Sequence, residues 1–168
     1  IGHTGTLDPM AEGVLVLTIG KATKLGELLT SYEKEYIAEV EVGILTDTLD
    51  TTGNILKKKE LTNNLNYKQI CDSFQKKYLQ EVPKYSAVKI NGKKLYEYAR
   101  ENIEIELPKR EVEIKNIELL SDIEYIENKT IFKFKCSVSK GTYIRSLIRD
   151  IANKLGTIGI MTDLRRIR

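Results

Sequence analysis

The segment Gly2-His3-Thr4-Gly5-Thr6-Leu7-Asp8-Pro9-Met10-Ala11-Glu12-Gly13-Val14-Leu15 sets one aspartate between a leucine and a proline, inside a turn punctuated by three glycines. Pro9 fixes its own φ and biases Asp8 toward extended backbone, so the carboxylate is confined to a narrow range of positions. Such placement suits a nucleophile. An Asp-Pro pair in a glycine-rich loop is far more often a turn or a helix cap, and the residues alone leave both readings open.

Other chemistries find less support. A zinc centre needs three or four His, Cys, Asp or Glu ligands, and the chain has a single histidine, His3. No Ser or Cys stands in a nucleophile-elbow context, and His3 is the only imidazole for a triad. Gly20-Lys21 lacks the upstream glycine of a phosphate-cradling loop. Asp47, Asp50 and Gly53 do not have calcium-loop spacing. No metal site and no cofactor are expected.

The elements that must position Asp8 are read from periodicity. Ala22 to Ser31 reads as a short helix. Glu35 to Leu45 alternates Tyr36, Ala38, Val40 and Val42 against Ile37, Glu39 and Glu41, as a strand does. Thr46 to Asn54 is a polar loop, and Tyr67 to Leu79 places Ile70, Phe74 and Tyr78 at helical spacing. Lys84 to Gly92 is extended around an Asn-Gly turn, and Lys93 to Asn102 is helical. Val112 to Leu119 is a strand, and so is the run in which Phe132, Phe134, Cys136 and Val138 alternate with Ile131, Lys133, Lys135 and Ser137. Thr142 to Leu155 carries Ile144, Leu147, Ile148, Ile151 and Leu155 on one helical stripe, with Gly156 at the C-cap. Ile158 to Arg168 is a last strand. This order predicts an α/β (α+β) domain: a mixed, mainly antiparallel sheet flanked by helices.

With 168 residues, 41% hydrophobic and 30% charged, the chain suits one globular domain and excludes disordered, collagen-like and mini-protein classes. Cys71 and Cys136 lie far apart with no CxxC, which favours a reducing compartment and leaves a single disulfide as the alternative. No apolar run is long enough to span a bilayer, so the expected location is cytoplasmic, with no membrane partner. The net charge is only +3, but Lys133 to Arg168 holds nine basic against two acidic side chains, while Glu101 to Asn128 holds nine acidic against three basic. A basic C-terminal third could neutralise phosphates; a solvated lysine-rich surface is the equal alternative.

The segment GHTGTLDPMAEGVL resembles the signature of the TruB family of tRNA pseudouridine synthases. Further stretches are similar to the same family in the same order: Lys34-Glu35-Tyr36, Thr46-Asp47-Thr48-Leu49-Asp50-Thr51-Thr52-Gly53, Pro83-Lys84-Tyr85-Ser86-Ala87-Val88-Lys89, Gly92 to Arg100, Ser139-Lys140-Gly141-Thr142-Tyr143-Ile144-Arg145 and Leu164-Arg165-Arg166. The resemblance implies the pseudouridine synthase catalytic fold and isomerisation of one uridine in the T-loop of tRNA. It implies tRNA (T-arm) as partner, with no cofactor and no obligate protein partner.

By the same resemblance Asp8 is the nucleophile that forms a covalent adduct. Free aspartate is ionised at neutral pH and needs no general base. Tyr36 stacks on the extruded base and can move a proton, and Arg145 pairs with the nucleophile through a bidentate guanidinium. Asp50 completes the charge network, and Tyr143 and Leu164 line the uracil pocket. His3 enters the RNA loop that the target base has left, offsetting an unstacking cost of a few kcal/mol. Lys24 is assigned to the substrate. Lys21, Lys89, Lys93, Lys94, Lys140, Arg149, Arg165 and Arg166 are candidates for phosphate contacts.

The family ordinarily has a further Lys, Pro and Gly motif before the histidine, and often a small accessory RNA-binding domain at the end. Residues 1–168 are therefore expected to be a catalytic domain lacking its N-terminal strand and any C-terminal accessory domain. Two rivals stay open: a non-catalytic tRNA-binding or remodelling module, and a glycoside-cleaving enzyme pairing Asp8 with Glu12 or Asp50.

Overall fold

The computed structural model describes residues 1–60 and 66–168. In chain order the elements are β1 (Gly2–His3), β2 (Glu12–Gly13), β3 (Leu17–Thr18), a 3-10 helix (Gly20–Leu25), α1 (Gly26–Ser31), β4 (Lys34–Val42), β5 (Ile44–Thr46), β6 (Ile55–Lys58), α2 (Tyr67–Asp72), β7 (Lys77–Glu81), β8 (Lys89–Ile90), β9 (Lys93–Lys94), α3 (Leu95–Arg100), β10 (Lys109–Leu119), β11 (Glu124–Ile126), β12 (Lys129–Val138), α4 (Ile144–Lys154) and β13 (Gly159–Arg166). The main sheet runs β2-β13-β4-β12-β10-β7, with β11 added to β12. Its pairs are antiparallel except β13 with β2, so the sheet is mixed and mainly antiparallel.

The period-2 residues of β4 and β12 explain where the core lies. Tyr36, Ala38, Val40 and Val42 share one buried face with Phe132, Phe134, Cys136 and Val138. The pairing is in register over nine positions, from Thr130 against Val42 to Val138 against Lys34. The opposite face pairs acids with bases: Lys133 with Glu39 at 3.1 Å and Lys135 with Glu35 at 3.5 Å. Helix α4 covers the apolar face with Leu147, Ile148 and Ile151, none more than 1% exposed. Burial of each such side chain contributes about 1.5–3 kcal/mol. A helix this short is marginal alone, so that packing is what holds it. It ends in a Schellman motif: Gly156 takes φ +78°, its N–H donates to Asn153 O, and Thr157 N–H donates to Ala152 O, each at 3.0 Å.

One element differs from its sequence reading. The helix expected over Tyr67 to Leu79 stops at Asp72, and Lys77–Glu81 is a strand on the edge of β10. Phe74 and Tyr78 do touch, edge to face at 5.6 Å, but across a turn rather than along a helix. Tyr78 and Gln80 face inward by strand alternation, leaving Leu79 exposed.

Cys71 and Cys136 are both buried free thiols, so the disulfide alternative drops out. No helix among the described residues is long and apolar enough to cross a membrane.

Candidate active site

The glycine-rich segment folds over the end of the sheet where β4 and β13 lie side by side. Asp8 to Ala11 is a turn with Pro9 at its second position, closed by Ala11 N–H donating to Asp8 O at 2.9 Å. Leu7, Met10 and Ala11 pack on the core and anchor the turn from beneath. Arg166, 3% exposed on β13, ties the two arms of the loop together: its Nε donates to Val14 O at 2.6 Å and an Nη to Gly5 O at 3.0 Å. Gly13 crosses Arg166 so closely, at φ +112°, that a Cβ would lie 2.0 Å from the Arg166 carbonyl oxygen.

Arg145 approaches from the first turn of α4. Its Nε donates to Asp8 Oδ2 at 2.9 Å and Nη2 to Asp8 Oδ1 at 2.8 Å, a two-pronged ion pair. The remaining donors reach Thr48 O at 3.0 Å and Tyr85 O at 3.1 Å. The guanidinium is thus held in its plane from four directions and in turn fixes both carboxylate oxygens. Arg145 is 5% exposed while the Asp8 side chain keeps 27% of its surface, so the carboxylate faces out of the protein and the arginine does not.

Asp8 opens into a cleft of about 520 Å³, within the range of small-molecule sites. Tyr36, Tyr85, Tyr96 and Tyr143 line it together with Arg145 and Arg166. Burial pushes the Tyr36 phenol up, with the Arg166 guanidinium opposing, so it remains a hydrogen-bond donor at neutral pH. At the rim, burial and then the Arg166 charge pull Lys34 down from its ordinary range. Asp8 is the only carboxylate among the described residues lining the cleft. Glu12 lies on β2 opposite Arg165, so the paired-carboxylate glycosidase reading has no second acid here.

Of the sequence candidates, Asp8, Tyr36, Tyr143, Arg145 and Arg166 converge on the cleft. His3 and Lys140 line the adjoining concavity, which shares Thr30 with it. Asp50 is placed differently from expectation. Its Oδ1 accepts from Thr48 Oγ1 at 2.7 Å, Thr52 N–H at 2.9 Å and Thr52 Oγ1 at 2.6 Å, so it shapes the turn that presents the Thr48 carbonyl to Arg145. Leu164, 3% exposed, belongs to the core beside Ala38 and does not line the cleft.

Two phosphate candidates are corrected. Arg166 is buried and holds the loop, and Arg149 is committed to Asp150 at 2.9 Å and Glu81 at 3.2 Å. Lys93 is paired with Glu101 and lies over the Tyr98 ring, while Lys94 lies over Tyr96. Lys21, Lys24, Lys89, Lys140 and Arg165 are exposed. The basic C-terminal third is partly neutralised through the pairs of Lys133, Lys135, Arg149 and Arg168. The carbonyls of Thr48 and Tyr85, and Arg166 as loop clamp, were not legible as site groups. The one signal that pointed to them is that Thr48, Tyr85 and Arg166 all lie inside stretches similar to the family.

Residues 1–144 match the model of the TruB family pseudouridylate synthase, N terminal domain. Among curated proteins, tRNA pseudouridine synthase B of Lactobacillus acidophilus is 46% identical over 99% of this chain and 58% of its own length. That of Clostridium acetobutylicum is 47% identical over 99% and 56%. The chain therefore spans little more than half the length of the curated relatives it matches. A chain in the crystal structure of a Cbf5-Nop10-Gar1 complex superposes with a TM-score of 0.68 at 29% identity, over 99% of this chain and 39% of its own. One from an H/ACA RNP bound to a substrate RNA containing 2'-deoxyuridine gives 0.65 at 27%, over 99% and 38%.

Proposed function

The chain belongs to the TruB family of pseudouridylate synthases, and on that premise we propose that it is the catalytic domain of an enzyme that isomerises a uridine in the T-loop of tRNA to pseudouridine. The observation that carries this reading is the two-pronged hold of Arg145 on Asp8 at the mouth of a tyrosine-lined cleft. A uridine extruded from the T-loop enters the cleft and stacks on Tyr36. The Asp8 carboxylate, aimed by Arg145, adds to the nucleotide. The glycosidic bond to nitrogen breaks, the base turns, and the ribose rejoins through carbon. The bond to Asp8 then breaks and frees the carboxylate, while that ring carbon gives up its proton and the freed ring nitrogen takes one up, so the product is an isomer of the substrate.

Arg145 keeps the carboxylate in one orientation through both bond changes, and a nucleophile so placed pays its alignment entropy in advance. Tyr36, protonated at neutral pH, stacks and donates a hydrogen bond to the rearranging base. His3 fills the position the base has left, and Tyr143 closes one wall of the pocket. Lys21, Lys24, Lys89, Lys140 and Arg165 meet backbone phosphates around the entrance. The work requires no cofactor and belongs in the cytoplasm, where tRNA is processed.

The test is to incubate the full-length protein with unmodified tRNA transcript and map pseudouridine by carbodiimide modification and primer extension. A single stop in the T-loop is the expected result. RNA binding without product would favour the non-catalytic binding module instead.

A further inference from the structure

Helix α4 carries Arg145 in its first turn, yet no side chain caps the helix from its own N-cap residue, Tyr143. The Tyr143 amide is satisfied from another element: Gln80 Oε1 on β7 accepts it at 2.8 Å. Gln80 is 1% exposed. Its Nε2 donates to the Tyr78 hydroxyl at 2.8 Å, and that hydroxyl donates to Asp150 Oδ2 on α4 at 3.1 Å. Ser146 Oγ donates to Glu81 O at 2.8 Å, alongside the Arg149 pair to Glu81. The edge strand β7 thus grips α4 and its N-cap: the inward Gln80 and Tyr78 hold residues 143 and 150, and Glu81 at the strand's end holds 146 and 149.

Packing alone does not call for an amide at Gln80. A buried amide costs free energy unless its hydrogen bonds are met, and an aliphatic side chain would fill the same inward position. What the amide adds is a directional bond to the residue two places before Arg145. A shift of α4 by a fraction of a turn would break that bond and would carry the guanidinium away from Asp8.

We propose that Gln80 is a positioning residue for the Asp8–Arg145 pair, acting through the Tyr143 amide. This rests on the synthase reading. Gln80 touches neither Asp8 nor the cleft, so its effect falls on the alignment of the pair rather than on RNA affinity.

The experiment compares full-length wild type, Gln80→Met, Gln80→Glu and Tyr78→Phe, with kcat and KM measured on unmodified tRNA well below each melting temperature. Gln80→Met keeps the volume and removes the acceptor: kcat falls at least about tenfold while KM stays within about threefold. Gln80→Glu retains an oxygen facing the Tyr143 N–H and recovers most of the lost kcat. Tyr78→Phe removes only the hydroxyl that orients the amide and lowers kcat about threefold or more, and it carries the test should Gln80→Met fail to fold. A folded Gln80→Met, or Tyr78→Phe in its place, with wild-type kcat overturns the proposal, as does a loss confined to KM. No product from wild type would instead defeat the synthase reading on which it stands.

Discussion

Replacing Arg145 by lysine keeps the positive charge and changes only how it is delivered. The guanidinium makes four hydrogen bonds, two to the Asp8 oxygens at 2.8 and 2.9 Å and one each to Thr48 O and Tyr85 O at 3.0 and 3.1 Å. An ammonium presents three donors from a single point on a shorter stem. It cannot meet both carboxylate oxygens in one plane and two carbonyls elsewhere, so at least two of the four bonds are lost. A charge-assisted bond contributes about 1.5–3 kcal/mol, and a buried carbonyl left unpaired costs about 1–3 kcal/mol. Because the charge remains, the full cost of about 3–5 kcal/mol for breaking a buried pair is not reached, and a stability loss of about 2–4 kcal/mol is expected. Catalysis suffers more: a carboxylate displaced by about 1 Å costs on the order of a hundredfold in kcat. The assay is pseudouridine formed against time at saturating tRNA, alongside a thermal melt of the same full-length variant. A kcat within about threefold of wild type would refute the reasoning, because one prong would then be enough.

Three further outcomes follow from the same geometry. Burial pushes the Cys71 and Cys136 thiols up to about 12, so the protonated forms dominate in the fold and reactivity grows only as pH climbs toward that value. Native protein should resist iodoacetamide from about pH 7 to 9, roughly a thousandfold more slowly alkylated than an exposed thiol, with both sites labelling on unfolding; rapid native labelling at pH 8 would contradict the burial. Gly13→Ala forces a Cβ against the Arg166 carbonyl at a φ that side chains avoid. It should cost about 2–4 kcal/mol in a denaturant melt and most of the activity, and an unchanged midpoint would show the loop is not clamped there. If four of the exposed bases Lys21, Lys24, Lys89, Lys140 and Arg165 meet phosphates, tRNA affinity should fall about fiftyfold from 50 to 200 mM salt; a log–log slope shallower than about −1 would remove most of these contacts.

Elements with an unbroken burial period were legible from residue order. Strand β12 alternates strictly, and α4 carries five apolar residues on one stripe before Gly156, because each buries one face against the same core. Strand β7 was misread since Phe74 and Tyr78 meet across a turn at a spacing that imitates a helix. A short sequence window cannot separate the two arrangements. Asp8 and Arg145 are 137 positions apart, so their pairing is a product of the sheet that brings the first loop onto the last helix, and the family resemblance anticipated what spacing could not. Arg166 and Arg149 look like any exposed base in sequence, yet strand and helix position turned them inward to carbonyls and carboxylates. Asp50 likewise shares its motif with site residues but spends its hydrogen bonds on its own turn. Gln80 gave no signal at all, because a lone glutamine in Lys-Tyr-Leu-Gln-Glu is unremarkable until its strand partner and the helix end are known.

The central claim is that the Asp8 carboxylate, held by Arg145, reacts with the nucleotide. The most direct measurement is the initial rate of pseudouridine formation by full-length Asp8→Asn against wild type on one tRNA transcript, with tRNA affinity measured in parallel. The account predicts a rate at least about ten-thousandfold lower at near-wild-type affinity, since the amide keeps the shape and loses the nucleophile. An Asp8→Asn enzyme that converts uridine at a rate comparable to wild type would contradict it.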